Sequence, residues 1–257
     1  MLFRSIVGRP NVGKSSLFNR LVGEERSVVY EEAGTTRDAV DAIVEWPELG
    51  RVRFVDTAGM RRAPKVHGVE YFGVVRATRA VERAGVGVLV LDATEGLTAE
   101  DKRIAALIEK LGRALLVVAN KWDLVDDKDR AFKDLQASIQ PFARATVVRT
   151  SALRGQGVHR LPHLVMDLHG RWRSRAPTSR VNEILEKAQA DRAVPRGTGR
   201  IHYGTQVATG PPVFVLFGAR APEAAYHRFL ENRLRGELGL EGVPIKLRFR
   251  ARRRKVR

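Results

Sequence analysis

Cysteine is missing altogether from the 257-residue chain. Its absence excludes disulfides and cysteine-ligated metal centres, and it favours the cytosol over an oxidising compartment. Long apolar runs are missing too, since none approaches the roughly 18 residues that a membrane-spanning helix needs. The first residues, MLFRSIVG, lead directly into a motif and lack the features of a secretory signal. These absences predict a cytoplasmic protein with no membrane contact.

Acidic residues are scarce in the last third of the chain. The whole chain holds 46 Lys and Arg against 29 Asp and Glu, a net charge of +17. Residues 171–257 hold 20 basic and 7 acidic residues, a net charge of +13, whereas residues 1–170 carry only +4. A basic excess concentrated in one region indicates a polyanionic partner, and RNA or DNA is the one we expect.

Strand-like and helix-like segments alternate over residues 1–170. The strand-like segments are Leu2–Val7, Val52–Asp56, Gly87–Asp92, Leu115–Asn120 and Thr146–Ser151, and the helical ones are Lys14–Leu21, Glu100–Leu111 and Lys128–Gln140. Apolar strands separated by helices are typical of a mostly parallel, doubly wound sheet that is buried on both faces. We therefore predict an α/β domain over residues 1–170.

The pattern changes near residue 170. The stretch His169–Thr178 is polar, basic and contains proline, which predicts a linker or domain boundary. Over residues 171–250 the predicted order is helix, strand, strand, helix, strand, which suits a small α+β domain with helices on one face of a three-stranded sheet. The tail, residues 251–257, is almost wholly basic, and we expect it to be disordered in isolation.

Residues 8–15, GRPNVGKS, match the phosphate-binding pattern G-x-x-x-x-G-K-[ST]. The backbone N–H groups of such a loop cradle phosphates, and the following helix directs its positive end toward them. Lys14 is the predicted catalytic cation at the β- and γ-phosphates, and Ser15 is a predicted Mg²⁺ ligand. The nucleotide-binding residues expected in this P-loop are Gly8, Asn11, Val12, Gly13, Lys14, Ser15 and Ser16. The motif alone does not distinguish GTPases from ATPases or kinases.

A second motif, DTAG at residues 56–59, follows the strand predicted to start at Val52. A carboxylate at this place can hold Mg²⁺, commonly through water, so Asp56 is the second expected metal ligand. Gly59 has no side chain and allows a backbone N–H to approach the γ-phosphate, which gives it a predicted catalytic role.

The NKWD motif at residues 120–123 is the selective one. The Asp123 carboxylate can accept hydrogen bonds from guanine N1–H and the 2-amino group, which adenine cannot offer, and an unpaired buried polar group discriminates by roughly 10⁴-fold or more. Asn120 is expected to tie this loop to the P-loop, and the stem of Lys121 can lie over the base. The segment Ser151, Ala152 and Leu153 would supply a backbone N–H to guanine O6. This ordered set of motifs predicts GTP and GDP as ligands.

Together with GTTRD (34–38) and TSAL (150–153), these motifs resemble the Era-like branch of translation-factor GTPases. The stretches TSRVNEILEKA, GPPVFVLFG and YHRFLENRLRGELGLEGVPIKLRFR resemble the KH-like domain of the EngA/Der family, bacterial GTPases of large-subunit ribosome assembly. Members of that family carry two tandem GTPase domains before the KH-like domain, whereas this sequence has one, similar to the second. The resemblance therefore predicts that the first GTPase domain is absent and that the chain is a fragment.

The resemblance also implies roles in the switch regions. Thr36 is implied as the catalytic switch threonine that contacts Mg²⁺ in the GTP state, with Thr35 the less favoured neighbour. Ras-type enzymes orient the attacking water with a glutamine directly after the DxxG glycine, but Met60 stands there. Hydrolysis is then either slow or assisted by another group. An asparagine at the position of Asn11 can help to coordinate a monovalent cation in the Era-like branch, so we expect K⁺ there; the alternative is that Asn11 only supports the turn.

RNA-binding KH domains clamp the nucleic-acid backbone with a GXXG loop between two helices. The matches at residues 236–239 and 239–242 contain glutamate and lie between a helix and a strand, so we interpret their glycines as helix-stop and turn glycines. RNA contact is then expected from basic side chains and should be backbone-directed and salt-sensitive. The expected RNA-binding residues are Arg248, Arg250, Arg252, Arg253, Arg254 and Lys255.

The sequence thus predicts a GTP-hydrolysing switch that acts as a monomer on ribosomal RNA and the 50S large ribosomal subunit. GTP would order the loops around Thr36 and Gly59, and hydrolysis would release them. Turnover is expected to be slow for the chain alone and faster with K⁺ or the ribosome. Two alternatives stay open: a GTPase that assists tRNA modification, and a nucleotide-gated RNA-binding scaffold with negligible turnover, which Met60 motivates.

Overall fold

The computed structural model describes residues 2–23, 28–33, 40–46, 50–54, 81–82, 84–142, 144–195 and 199–251. The chain divides into two compact units, Met1–His169 and Gly170–Arg257. Among the helices of the described ranges, none combines the length and the apolar character that crossing a membrane requires.

The first unit is built on a seven-stranded sheet. Its strands are β1 (Leu2–Val7), β2 (Val28–Ala33), β3 (Val40–Trp46), β4 (Gly50–Phe54), β5 (Val86–Asp92), β6 (Ala114–Asn120) and β7 (Thr146–Arg149). The spatial order is β2-β3-β4-β1-β5-β6-β7. Strands β4, β1, β5, β6 and β7 are parallel, while β2 and β3 pair antiparallel at one edge. The mostly parallel α/β sheet expected from the sequence is confirmed.

The helices α1 (Lys14–Val22), α2 (Ala99–Lys110) and α3 (Lys128–Ile139) lie within this unit. Helix α4 (Leu161–Arg173) begins in this unit and continues past its last residue, His169. Alternate residues of β5 and β6 point to opposite faces of the sheet. One set packs with α2 and α3 in a single apolar cluster that includes Leu89, Leu91, Ile104, Ile108, Leu115, Val117, Leu135 and Ile139. The other set, Val88, Val90, Leu116 and Val118, is equally buried. Both faces of the central strands are therefore covered, as parallel sheets require.

Two features of the structure differ from the sequence prediction. Strands β2 and β3 were not predicted, because they border the motif GTTRD, where charged and small residues break the apolar pattern. The predicted linker His169–Thr178 begins inside α4, which continues to Arg173. Leu161, Val165, Leu168 and Trp172 are buried along one side of this helix. Their helical spacing shows that the polar residues between them form the exposed face of a helix.

The second unit contains α5 (Thr178–Asp191), β8 (Ile201–Ala208), β9 (Val213–Gly218), α6 (Ala224–Glu237) and β10 (Lys246–Ala251). The sheet order is β10-β9-β8, with β10 parallel and β8 antiparallel to β9. This α-β-β-α-β arrangement confirms the predicted order. Strand β10 includes Ala251, which the sequence had placed in a disordered tail.

Two side-chain amides of helix α5 form hydrogen bonds with backbone N–H and C=O groups of the edge strand β8. The Asn182 amide bonds both the N–H and the C=O of Gly204, at 2.9 and 3.1 Å. About two helical turns further along the same face, the Gln189 amide bonds the N–H and the C=O of Ile201, at 2.9 and 3.0 Å. An open edge is a template for unwanted strand pairing, and these two amides occupy it.

The end of α6 decides the nature of the two GXXG matches. Gly239 has φ +64°, and the N–H of Leu240 bonds the C=O of Arg235 at 2.9 Å. This is a helix stop with a left-handed glycine. Gly242 also has positive φ, in the turn before β10. The interpretation as helix-stop and turn glycines is confirmed for Gly239 and Gly242, whereas Gly236 lies inside α6.

Candidate nucleotide-binding site

Three of the predicted motif segments and the end of strand β5 lie at one edge of the large sheet. Gly8 follows β1, Asp92 ends β5, Asn120 ends β6 and Ser151 follows β7. Because these strands are parallel, their carboxyl ends meet at the same edge, where open α/β sheets bind ligands. The P-loop also begins beside the neighbouring strand, since a Cβ at Gly8 would overlap the carbonyl oxygen of Val90.

The P-loop backbone needs its glycines. Gly8 has φ +146° and Gly13 has φ +95°, conformations that favour glycine. A Cβ at Gly13 would also overlap the amide nitrogen of Asn120. Asn11 adopts φ +63°, which asparagine tolerates better than most residues. Its side-chain amide has no partner within the described ranges, so the turn itself accounts for asparagine while the amide oxygen stays available to a cation.

Lys14 is a largely buried ammonium that is held by a carbonyl group. Its Nζ donates to the carbonyl oxygen of Arg9 at 2.6 Å. Burial lowers the pKa of Lys14 below its ordinary value, and the carboxylates of Glu100 and Asp101 counter this only in part. An ammonium that is desolvated without a directly bound anion gains stabilisation when a phosphate approaches, which is what the P-loop assignment requires.

Asn120 joins three segments of the site. Its Nδ2 donates to the carbonyl oxygen of Val12, 108 positions earlier, at 2.9 Å. Its Oδ1 accepts from the N–H of Ala152 at 2.9 Å and from the hydroxyl of Thr150 at 3.3 Å. Asn120 is 2% exposed, so these bonds are shielded from water. The prediction that Asn120 ties the base loop to the P-loop is confirmed.

Asp123 presents a carboxylate that is held from two sides. Its side chain is 7% exposed, and its Oδ2 lies 3.3 Å from Nε of Arg154. A hydrogen bond from the Ser151 hydroxyl is the largest cause that lowers the pKa of Asp123, and Arg154 and Lys128 add to it. A carboxylate has about four acceptor positions, and the contacts with Ser151, Arg154 and the backbone of Asp123 leave part of this capacity for the donors of a guanine.

The segment Ser151–Leu153 has two of its backbone N–H groups already bonded. Ser151 N–H donates to the carbonyl of Gln156 at 3.0 Å, and Ala152 N–H donates to Asn120. Leu153 N–H has no partner within the described residues, and its side chain is 85% exposed. The contact to guanine O6 stays a prediction, and in this arrangement Leu153 carries the available donor.

The structure adds ion pairs that the sequence did not reveal. Lys121, in a left-handed conformation with φ +59°, pairs through its Nζ with Asp92 at 2.6 Å, and the contact of its stem with the base stays a prediction. Burial acts to raise the pKa of Asp92, but hydrogen bonds from Lys121 and Thr94 bring it below its ordinary value. The sequence feature that could have revealed this ion pair is the acid at the end of the buried strand β5, because Asp92 is in register with Asn120 at the end of β6.

Arg9 of the P-loop forms ion pairs with two acidic residues that lie far from it in the sequence. Arg9 Nε lies 3.2 Å from Asp101, which is fully buried, and its guanidinium also bonds Glu95 at 2.8 Å. Asp101 forms a capping box with Thr98 at the start of α2. The spacing of Thr98 and Asp101 is a helix-start signal, but only the fold brings this acid to Arg9.

The remaining predicted residues divide into two groups. Ser15 and Ser16 lie in the first turn of α1, and the Ser15 hydroxyl has no hydrogen-bond partner in the described part of the chain. A free hydroxyl beside a phosphate loop fits a ligand of Mg²⁺, which prefers oxygen donors. Thr36, Asp56, Gly59, Arg252, Arg253, Arg254 and Lys255 lie outside the described residues.

Comparison with known proteins agrees with this geometry. Residues 4–121 match the family of 50S ribosome-binding GTPases, and residues 175–250 match the KH-domain-like C-terminal region of EngA bacterial GTPase enzymes. The chain belongs to the EngA/Der family. Its EngA/Der relatives include the GTPase Der of Synechococcus sp. (strain JA-3-3Ab), 45% identical over 261 residues, which cover 96% of this chain and 56% of that protein. The GTPase Der of Streptomyces coelicolor is 42% identical and covers 98% of this chain and 55% of that protein.

The chain therefore spans about half the length of the curated EngA/Der relatives that it matches. Among solved structures, the bacterial selenocysteine-specific elongation factor EF-Sec matches with a TM-score of 0.50 and 21% identity, over 65% of this chain and 28% of that one. This likeness concerns the fold alone. The EngA/Der chain carries a GTPase domain followed by a KH-like domain.

Proposed function

We propose that the chain binds GTP and hydrolyses it to GDP and phosphate, and that it acts as a switch in assembly of the large ribosomal subunit. The observation that carries this proposal is the bonding of Asn120, which links the P-loop carbonyl of Val12 to the base loop and to Ala152. Guanine selection follows from Asp123, whose carboxylate is held ionised with acceptor positions to spare. The membership in the EngA/Der family supports both parts of the proposal.

In this proposal Mg²⁺ neutralises phosphate charge, and Ser15, Thr36 and Asp56 would hold it. Lys14 binds the phosphates through its ammonium group, and Gly59 offers its backbone N–H to the γ-phosphate. Asn11 would hold K⁺ beside the phosphates, because its amide has no protein partner within the described ranges and Met60 cannot orient water as a glutamine does. The expected turnover is slow without K⁺ or a ribosomal particle.

The second unit would contact ribosomal RNA through basic side chains. Arg248 and Arg250 are exposed on β10, and Arg252, Arg253, Arg254 and Lys255 follow in the sequence. The name of the matched family, 50S ribosome-binding GTPase, supports the large subunit as the particle. We place this action in the cytoplasm, with the chain as a monomer and its domains at residues 1–170 and 171–250.

The proposal is tested with two measurements on the same preparation. Phosphate release from GTP should be slow alone and faster with 50S subunits or K⁺, and Lys14→Ala should abolish it. Co-sedimentation with 50S subunits should be stronger with a non-hydrolysable GTP analogue than with GDP. Nucleotide-dependent co-sedimentation without phosphate release under any condition would favour the RNA-binding scaffold that Met60 motivates. Equal binding of ATP and GTP would contradict the nucleotide assignment.

A further inference from the structure

The strand register of the second unit brings three arginines to one end of its sheet. Gly218, the last residue of β9, is in register with Ile201 of β8 on one side and with Ala251 of β10 on the other. Arg200 directly precedes Ile201, and Arg250 directly precedes Ala251. Arg220 follows Gly218 by two residues. We call Arg200, Arg220 and Arg250 the arginine pole.

The segments that carry the pole are in close contact. A Cβ at Gly199 would lie 2.7 Å from the backbone nitrogen of Arg220, and a Cβ at Gly218 would lie 2.7 Å from the carbonyl oxygen of Arg200. All three arginines are exposed, and none of them forms an ion pair with any residue in the described part of the chain. The backbone thus brings three exposed arginines to one end of the sheet, and their charges are not neutralised by ion pairs within the described part of the chain.

The acidic residues nearby do not cancel this charge. Asp191, at the end of α5, is already ion-paired with Arg233. Glu223, at the start of α6, is an acid close to Arg220 in the sequence, and one carboxylate leaves the three arginines with a net positive charge. In the sequence, Arg252 to Lys255 follow β10 directly and add further positive charge to the chain beyond Ala251.

An aromatic row lies beside the pole. Tyr203, Phe217 and Arg250 are in register across the three strands, so their side chains share one face of the sheet. The two rings are 5.7 Å apart between centroids, and Tyr203 is 44% exposed. The helices cover the opposite face, because a Cβ at Gly204 would meet Leu185 of α5. An exposed ring that is supported by a second ring is a surface on which a nucleobase can stack.

We propose that the arginine pole, together with Tyr203, is a binding site for single-stranded RNA, in which the arginines bind backbone phosphates and a base stacks on the tyrosine ring. This proposal rests on the RNA contact in the proposed function and gives it a place in the fold. Unpaired guanidinium groups suit phosphates, and an adjacent aromatic face distinguishes a nucleic acid from an acidic polypeptide. Arg200, Arg220 and Tyr203 come from segments that no RNA-binding motif marks in the sequence.

The test uses a fluorescein-labelled single-stranded RNA of mixed sequence and the full chain. The variant Arg200→Gln/Arg220→Gln/Arg250→Gln should reduce the slope of log affinity against log salt by about 2, at roughly 0.7 per lost phosphate contact. At about 0.1 M salt this corresponds to an affinity loss of about a hundredfold. Thermal unfolding of the second unit checks that the variant folds, and GDP binding, which belongs to the first unit, should not change.

The matched control, Arg173→Gln/Arg175→Gln/Lys246→Gln, removes the same charge elsewhere. Lys246 begins β10, at the end opposite Arg250, and Ala176, next to Arg175, bonds Gln206 near the end of β8. This control should keep most of the slope. If both triple variants lose slope equally while the unmodified chain binds RNA, the pole is wrong although the RNA function stands. If the unmodified chain binds no RNA, the RNA part of the proposed function fails as well.

A second variant tests the stacking surface separately. Tyr203→Ala should weaken RNA binding about tenfold without a change of salt slope, since stacking contributes on the order of 1–3 kcal/mol per base. Tyr203→Phe keeps the ring and should bind like the unmodified chain. Competition with polyglutamate tests whether the site binds an acidic polypeptide instead of RNA. Displacement of the RNA by polyglutamate at equal charge concentration would overturn the assignment to RNA in favour of an acidic protein.

Discussion

Asn120→Ala is the substitution that best tests how the nucleotide site is held together. The side chain makes three hydrogen bonds that join the carbonyl of Val12, the N–H of Ala152 and the hydroxyl of Thr150. An alanine removes all three and leaves the two backbone groups without a partner. Because Asn120 is only 2% exposed, water reaches them poorly.

The magnitude follows from these two backbone groups. Each buried donor or acceptor that is left unpaired costs about 1–3 kcal/mol. Partial access of water brings the sum toward the lower end, so the free energy of unfolding of the first unit should fall by about 2–4 kcal/mol. The P-loop and the base loop would then be oriented by the nucleotide itself. The affinity for GDP should fall by about 10- to 100-fold, since 1.4 kcal/mol corresponds to a factor of ten.

Three measurements check this prediction. Titration with a fluorescent GDP analogue gives the affinity, and urea unfolding gives the stability. Hydrogen exchange reports on the Ala152 amide, which should lose its protection because its acceptor is gone. The control is Asn19→Ala, which removes an exposed amide from α1 and should change none of the three.

An Asn120→Ala chain that binds GDP as tightly as the unmodified chain would refute the predicted link between this side chain and nucleotide affinity. The bond between the two loops would then be structural only. A loss of GDP affinity with full protection of the Ala152 amide would show that another group had replaced Asn120 as acceptor, and the calculated magnitude would not apply.

Three further predictions concern separate parts of the chain. Asp123→Asn should weaken GTP binding by at least about a hundredfold and improve xanthosine triphosphate binding, because the amide can donate to the carbonyl at position 2 of xanthine; unchanged GTP affinity in a titration would contradict the base-loop assignment. GTP hydrolysis should be faster in K⁺ than in Na⁺ at equal ionic strength, and Asn11→Ala should remove the difference; a rate in the unmodified chain that ignores the cation would exclude the K⁺ site. Gly239→Ala should lower the stability of the second unit by about 1–2 kcal/mol, because a Cβ is strained in the left-handed conformation although no atom crowds it. Thermal unfolding measures this change. An unaltered melting temperature would show that alanine is not strained at this helix stop.

Much of the nucleotide site was predictable because its determinants are local. The residues of the P-loop motif are contiguous, and its two glycines occur where the backbone has positive φ. The buried strands β5 and β6 are continuous apolar runs that end in polar residues, which placed Asp92 and Asn120 at the edge of a parallel sheet. The bond between Asn120 and the P-loop was also predicted from the motifs, although β5 separates β1 from β6 in the sheet.

The errors in the predicted elements have a common physical cause. The end of helix α4, residues 169–173, was predicted as part of a linker because this stretch is polar and basic, while the buried residues of the helix are too widely spaced to form an apolar run. Strands β2 and β3 lie at the sheet edge, where antiparallel pairing requires no continuous apolar sequence. Whether an amphipathic or edge segment forms a helix or a strand depends on which of its faces packs against the core, and local composition does not show which face that is.

The sequence by itself determined the local chemistry: which loop can hold phosphates, which carboxylate can select guanine, and where the excess of positive charge lies. Only the tertiary structure decided which distant charges meet. Lys121 pairs with Asp92 and Arg9 with Asp101 across separations of 29 and 92 positions, and these contacts form only when the sheet brings the segments together. The same holds for Arg200, Arg220 and Arg250, which become neighbours because β8 runs antiparallel and β10 parallel to β9. Strand direction and register are properties of the folded sheet, and they decide which of the many basic side chains form one surface.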